Sequence, residues 1–213
     1  MRAANGWTVF EMLAAMTCSL LILAALGGFA RAQTRFLDRE SRRLELRETC
    51  RRVLDMIARE VRGAGYCPVP GTFDGSADGL AVAARDHIEL RSDLHGASAS
   101  DPPDGILDAD SDERIGFVLN SSRGSVSQTV GRQTLPLTLD FMVPAGGFEF
   151  RYFDACETEV VPADGASLTA EERARVRSVG ARLGVTQRDV GGVSAEVFST
   201  LRNRETLRCE TTG

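Results

Sequence analysis

Residues 6–30 read GWTVFEMLAAMTCSLLILAALGGFA, and from Met12 to Ala30 the chain holds nineteen residues without a charge. As a helix, with about 1.5 Å of rise per residue, that run covers the roughly 30 Å of bilayer hydrocarbon. Glu11 stands at its mouth, where a membrane segment normally excludes a carboxylate. Composition alone leaves two readings of the run open. It is a retained anchor, or it is a cleavable signal with Arg2 as its positive start and Ala30-Arg31-Ala32 as a small-x-small cleavage site.

The flanking charges pull in opposite directions. Arg31, Arg35, Arg39, Arg42 and Arg43 follow the run, which by the positive-inside tendency places the bulk of the chain in the cytoplasm. Asp38, Glu40 and Glu45 are interspersed among them, however, and describe an amphipathic helix and not a basic loop. Cysteine usage points outward. Setting aside Cys18 in the apolar run leaves Cys50, Cys67, Cys156 and Cys209, an even number without a CxxC or a nearby His pair, which argues against a metal site and for an oxidising compartment. Cys50 falls on an apolar helix face as a core residue, whereas Cys67, Cys156 and Cys209 lie in loop or terminal contexts. Cys67–Cys156 and Cys156–Cys209 are the pairings considered. With a net charge of −5 and a pI near 5.2, the chain has no basic field for nucleic acid. All 25 basic side chains are arginine, a bias to which no function is attached.

Beyond Ala30 the apolar residues Phe36, Leu37, Leu46, Cys50, Val53, Leu54, Ile57 and Val61 recur at spacings of three and four. This predicts a helix with one packing face. No cap or proline separates it from the apolar run, so one helix is predicted from about Trp7 to Arg62, ended by Gly63, Gly65 and Pro68, with Gly27-Gly28 as a candidate bend. After Cys67 the texture is short and β-like: Leu80–Ala84, His87–Leu90, Ile115–Leu119, Val126–Val130, Leu135–Val143 and Phe148–Phe153. Phe148, Phe150 and Tyr152 alternate onto one face. Thr169-Ala170-Glu171-Glu172 is a capping-box pattern opening a short helix, followed by extended pieces at about Val176–Thr186 and Ala195–Arg202. The fold class expected is α+β: a long N-terminal helix, part transmembrane and part amphipathic, packed on an antiparallel β-sheet.

The first thirty residues resemble the class III leader and N-terminal helix of type IV pilin-like proteins. The matching features are a short charged leader (Met1–Asn5), Gly6, the aromatic Trp7, Thr8, a hydrophobic pair, Glu11 and the apolar run. The family usually has phenylalanine where this chain has Trp7. Arg52–Tyr66 (RVLDMIAREVRGAGY), Gly147–Asp154 (GFEFRYFD), Arg173–Leu183 and Phe198–Arg204 are similar to PilW-type minor pilins and to type II secretion pseudopilin J. The resemblance implies a pilin-like fold with a leader at 1–6, a transmembrane and assembly helix at 7–30, its amphipathic continuation at 31–66 and a β-rich domain at 67–213. It implies cleavage by a prepilin peptidase between Gly6 and Trp7, N-methylation of Trp7, and a charge pair between Glu11 and the Trp7 amine of a neighbouring subunit. Other pilins or pseudopilins and an inner-membrane assembly platform are the implied partners. The implied location is the bacterial inner membrane, single-pass with the globular domain periplasmic, and then a pilus or pseudopilus. The alternative is a periplasmic or secreted binding domain released after Ala32.

Carboxylates crowd residues 93–113, and Asp108, Asp110 and Asp112 copy the opening of an EF-hand loop. Glu113 stands where that motif needs glycine and Leu119 where it needs glutamate, so a solvated loop is favoured over a Ca2+ site. No other cofactor is expected. Neither His87 nor His95 sits with a nucleophile in an elbow motif, and the chain is not expected to be an enzyme.

Overall fold

The computed structural model describes residues 8–69, 71–73, 79–108, 111–138, 141–163, 166–187 and 191–202. Helix α1 runs Val9–Gly63, 55 residues, and stays helical through Gly27, Gly28 and the Ala30–Arg31 junction. The chain divides into two compact units, one ending at Leu44 and one beginning at Glu45.

The first unit is helical from Val9 onward, and its large apolar residues from Val9 to Phe29 are 58–81% exposed. The helix is long and apolar enough to cross a membrane. The two hydroxyls of the apolar run bond within the helix: Thr17 Oγ1 donates to Leu13 O (3.1 Å) and Ala14 O (2.9 Å), and Ser19 Oγ to Ala15 O (2.8 Å). Backbone and hydroxyl groups paired in this way suit a surrounding without water.

In the second unit the helix buries Leu46, Cys50, Val53, Leu54, Ile57, Ala58 and Val61. These are the predicted positions, with Ala58 added. Phe36 (62% exposed) and Leu37 (59%) do not join them, because they precede the globular unit that starts at Glu45. The helix stops where Gly65 takes a φ of +77° and its N–H turns to Arg91 O (2.8 Å), a left-handed exit that favours glycine.

The β-structure forms two sheets, whereas one was predicted. β1 (Leu80–Ala83), β2 (His87–Arg91), β3 (Arg114–Asn120), β4 (Ser125–Val130) and β5 (Gln133–Pro136) make an antiparallel meander in chain order. β6 (Phe148–Phe153), β7 (Glu159–Val160), β8 (Ser178–Gln187) and β9 (Gly191–Thr200) make the other, in the order β7-β6-β8-β9 and also antiparallel. Predicted Leu135–Val143 is not one strand. Past Pro136 the ladder ends: the Leu137 N–H reaches Val126 O (2.8 Å), the Thr138 hydroxyl accepts from the Val126 N–H (2.8 Å), and Met142 forms an isolated bridge with Thr186. β9 begins at Gly191 and not near Ala195, because it pairs with β8 along all ten residues. Helix α2 (Ala170–Arg175) carries the predicted capping box, with Thr169 N–H donating to Glu172 Oε2 (2.8 Å) and Glu172 N–H to Thr169 Oγ1 (3.3 Å).

One continuous core joins the helix to both sheets through Ile57, Ile88, Phe117, Phe148, Phe150, Tyr152 and Leu183. Two polar links fasten it. The Tyr152 hydroxyl donates to Ala84 O (2.7 Å), tying β6 to the β1–β2 turn, and the Ser199 hydroxyl donates to Ala58 O (2.9 Å), tying β9 to α1. The architecture is the α+β arrangement expected, with a long N-terminal helix and antiparallel sheets packed on its later turns.

Truncating Ile57 to Ala leaves a cavity at the centre of that contact and should lower the unfolding free energy by about 2–5 kcal/mol. Phe36→Ala, on the exposed stretch, should change it by less than about 0.5 kcal/mol. Urea titration of the two variants followed by circular dichroism checks both; equal effects would mean that the packing face extends past Glu45.

Candidate functional site

The predicted functional residues lie at the start of α1, in the acidic loop and at the cysteines. At the start of α1, Gly6 and Trp7 lie outside the described residues, while Glu11 is described and exposed. Its carboxylate is held locally. Glu11 Oε2 accepts from Thr8 N–H (2.9 Å) and from the Thr8 hydroxyl (3.0 Å), and the Glu11 N–H donates back to Thr8 Oγ1 (3.3 Å). Thr8 is therefore the N-cap and Glu11 the third helical residue of a reciprocal capping box, with the carboxylate at the positive end of the helix dipole. The Thr-x-x-Glu spacing signals this in the sequence, just as Thr169–Glu172 does, although a helix predicted from Trp7 puts Thr8 inside it and not at its cap.

The second region is the acidic loop, which is folded around its own carboxylates. Glu113 is fully buried and accepts three backbone N–H groups: Leu94 (2.8 Å) and His95 (3.0 Å) on Oε1, and Asp108 (2.7 Å) on Oε2. Asp93 is equally buried, with Oδ2 accepting from Gly105 N–H (2.9 Å). The loop closes on the irregular segment that follows α1 through Phe73 N–H to Gly105 O (2.9 Å), and Gly71 and Gly105 approach so closely that a Cβ on either would strike backbone. Both ring nitrogens of His95 face acceptors, Nδ1 the Gly96 carbonyl (2.8 Å) and Nε2 Asp112 Oδ1 (2.8 Å). Both bonds form together when the ring is a doubly protonated imidazolium. The Gly96 carbonyl first, and then the Asp112 carboxylate, push its pKa above the ordinary 6.5.

Ligand atoms of His95, Asp108 and Glu113 lie within 4.8 Å of one another. As a cation cage the set is poorly furnished: Glu113 is committed to three amides, and a His95 that donates from both nitrogens has no lone pair to offer. Of the predicted EF-hand-like trio, Asp112 holds His95, Asp108 offers its backbone N–H to Glu113, and Asp110 lies outside the described residues.

The cysteines divide. Cys18, Cys50 and Cys67 are free, and burial pushes the Cys50 thiol up. The Cys67 thiol donates to Val69 O (3.2 Å) and Phe73 O (3.3 Å), so the considered Cys67–Cys156 bridge is not formed. Cys156 is disulfide-bonded, and Cys209 lies outside the described residues.

One further face carries no residue predicted from the sequence. β6 buries Phe148, Phe150 and Tyr152, which leaves Glu149, Arg151 and Phe153 on its opposite face. There the Arg151 guanidinium lies 5.2 Å from the Phe153 ring centroid, forks onto Glu159 (2.9 and 2.7 Å), and borders a shallow groove with Phe153 and the 57%-exposed Phe198. Gly180 makes room for the Phe198 ring, since a Cβ there would sit 2.8 Å from it. The alternation of GFEFRYF contained the arginine–aromatic face, but not its partner from β9.

No protein-family model and no curated protein matches the chain. Among solved structures, a type IV-like pilin from Thermus thermophilus is similar at 13% identity and a TM-score of 0.45, over 74% of this chain and 97% of that one. A likeness so distant carries no argument by itself.

The loop geometry sets a pH dependence. A histidine whose folded pKa is raised contributes stability that is fully present below its unfolded value of about 6.5 and is lost as pH rises through the folded value. Amide hydrogen exchange at residues 94–108 should therefore be better protected near pH 5.5 than near pH 8.5, after correction for intrinsic rates. His95→Gln should remove that difference. Identical protection at both pH values in the parent chain would contradict the clasp.

Proposed function

We propose that the chain is a minor pilin or pseudopilin, a non-enzymatic structural subunit that inserts in or primes a type IV pilus or a type II secretion pseudopilus. The observation that carries this reading is one uninterrupted helix, Val9–Gly63, with a membrane-length apolar stretch that is fully exposed and later turns that form the core of an α+β domain. A helix that is apolar and uncovered at one end and packed at the other has the form of an anchor that also serves as an assembly element. In this account a prepilin peptidase cuts between Gly6 and Trp7 and the new Trp7 amine is methylated. The anchor remains in the bacterial inner membrane with the domain periplasmic until the assembly platform draws it into the filament beside its sister subunits.

Glu11 supplies the register. An ionised carboxylate in hydrocarbon costs several kcal/mol unless it is paired, and a neighbour's Trp7 amine is a cation at matching depth. Thr8 binds Oε2 and so aims the carboxylate at the helix mouth. The acidic loop takes no part in this step, and Glu113 and Asp93 serve to shape it. Release by signal peptidase after Ala32 is the competing account, and it would have to cut an unbroken helix.

Gly6→Ala should accumulate precursor of full length on immunoblots of the membrane fraction, and normal maturation would contradict the peptidase assignment. Glu11→Ala should mature but be absent from sheared filaments. Its normal incorporation would remove the pairing argument while leaving the processing step standing.

A further inference from the structure

The arginines that follow the apolar run are more ordered than their number implies. Arg31, Arg35, Arg39 and Arg42 are helical and exposed, and on a wheel of about 100° per residue they fall within an arc of about 80°. None of the four makes an ion pair among the described residues, whereas Arg43, off the stripe, pairs with Glu40 at 3.8 Å. Asp38 borders the stripe, also without an ion pair, and leaves it with an excess of positive charge.

We propose that this stripe is a phospholipid-headgroup surface, selective for anionic lipids in the leaflet from which the helix emerges; the proposal rests on the reading that Met12–Ala30 spans the membrane. Helix direction is what makes the stripe point there. Side chains in a helix lean toward its N-terminus, and α1 leaves the apolar stretch in the N-to-C direction, so each guanidinium leans back toward the bilayer it has just left. Arg31 directly follows the run, and Arg35 lies about 6 Å further along, within the headgroup zone of roughly 5–7 Å on each side of the hydrocarbon. Arg39 and Arg42 continue the row over about 16 Å in total, close enough for long side chains to reach the phosphate plane or to feel its potential within a Debye length of about 8 Å. Guanidinium forks match phosphate oxygens in pairs, which makes phosphate the fitting chemistry. An acidic face on a neighbouring protein would satisfy the same charges, but nothing in the lean of the side chains favours it.

The test uses full-length protein reconstituted in phosphatidylcholine bilayers doped with spin-labelled phosphatidylglycerol or spin-labelled phosphatidylcholine. The measured quantity is the motionally restricted lipid component in the electron paramagnetic resonance spectrum. The expected preference for the anionic label is about fivefold. It should fall toward equality near 1 M salt. It should do the same in the combined Arg31→Gln, Arg35→Gln, Arg39→Gln and Arg42→Gln variant, whose glutamines are good helix formers. A restricted component with no preference overturns the lipid assignment, leaves the span standing and turns the stripe toward an acidic protein partner. A preference that survives in the variant also overturns it. No restricted component with either label overturns the span and the lipid surface together.

Discussion

The structure depends on one stripe of apolar side chains, Leu46, Cys50, Val53, Leu54, Ile57, Ala58 and Val61, and on what covers it. In a folded domain most of a helix's stability comes from the packing of its apolar face. Each fully buried leucine, isoleucine or valine contributes about 1.5–3 kcal/mol relative to exposure. The stripe obtains that burial from two sheets at once, with Ile88 and Phe117 from the meander and Phe150, Tyr152 and Leu183 from the second sheet in the same cluster. The sheets need the helix as much as it needs them, since each has an alternating apolar face that is otherwise open to water. The Tyr152 and Ser199 hydrogen bonds then fix the pieces against one another without leaving a buried hydroxyl unpaired.

A second theme is the local employment of carboxylates. Glu11 and Glu172 close capping boxes, Glu113 gathers three amides and Asp93 one, and Asp154 accepts from the Cys156 and Thr158 N–H groups (2.9 and 3.0 Å). The acidic composition therefore serves folding at many points where an acid count suggests solvation or a cation. Buried Glu113 is the clearest case, a carboxyl group whose two oxygens accept three backbone N–H groups of the loop. Glu11 differs from the others in standing at the mouth of an exposed apolar helix, where two bonds from Thr8 hold one of its oxygens.

Much of the fold was legible in the sequence. Spacings of three and four located the packed face of α1, and alternation located Phe148, Phe150 and Tyr152, because those periods follow directly from backbone geometry. The division into two sheets was not legible. Alternation states which face a residue occupies but not which strand pairs with it, so the ten-residue β8–β9 ladder and the split after Pro136 could not be read locally. The candidate site was less readable still. The motif residues Thr8 and Glu11 are visible, but a helix that begins at Trp7 hides their mutual bond, because it puts Thr8 past the cap. The Arg151, Phe153 and Phe198 face needed a contact between strands far apart in sequence.

Cleavage after Ala32 would remove the exposed apolar stretch and leave the core-forming turns Leu46–Val61 in place, so the competing accounts differ in where the mature chain begins. The account holds that the chain keeps its apolar helix and loses only the residues before it, so that a charged terminus is created next to Glu11. The most direct test is the intact mass and N-terminal fragment spectrum of the protein isolated from its native membrane. The account predicts a chain beginning at Trp7 and carrying one methyl group. A chain beginning at Met1 or at Gln33 would contradict it.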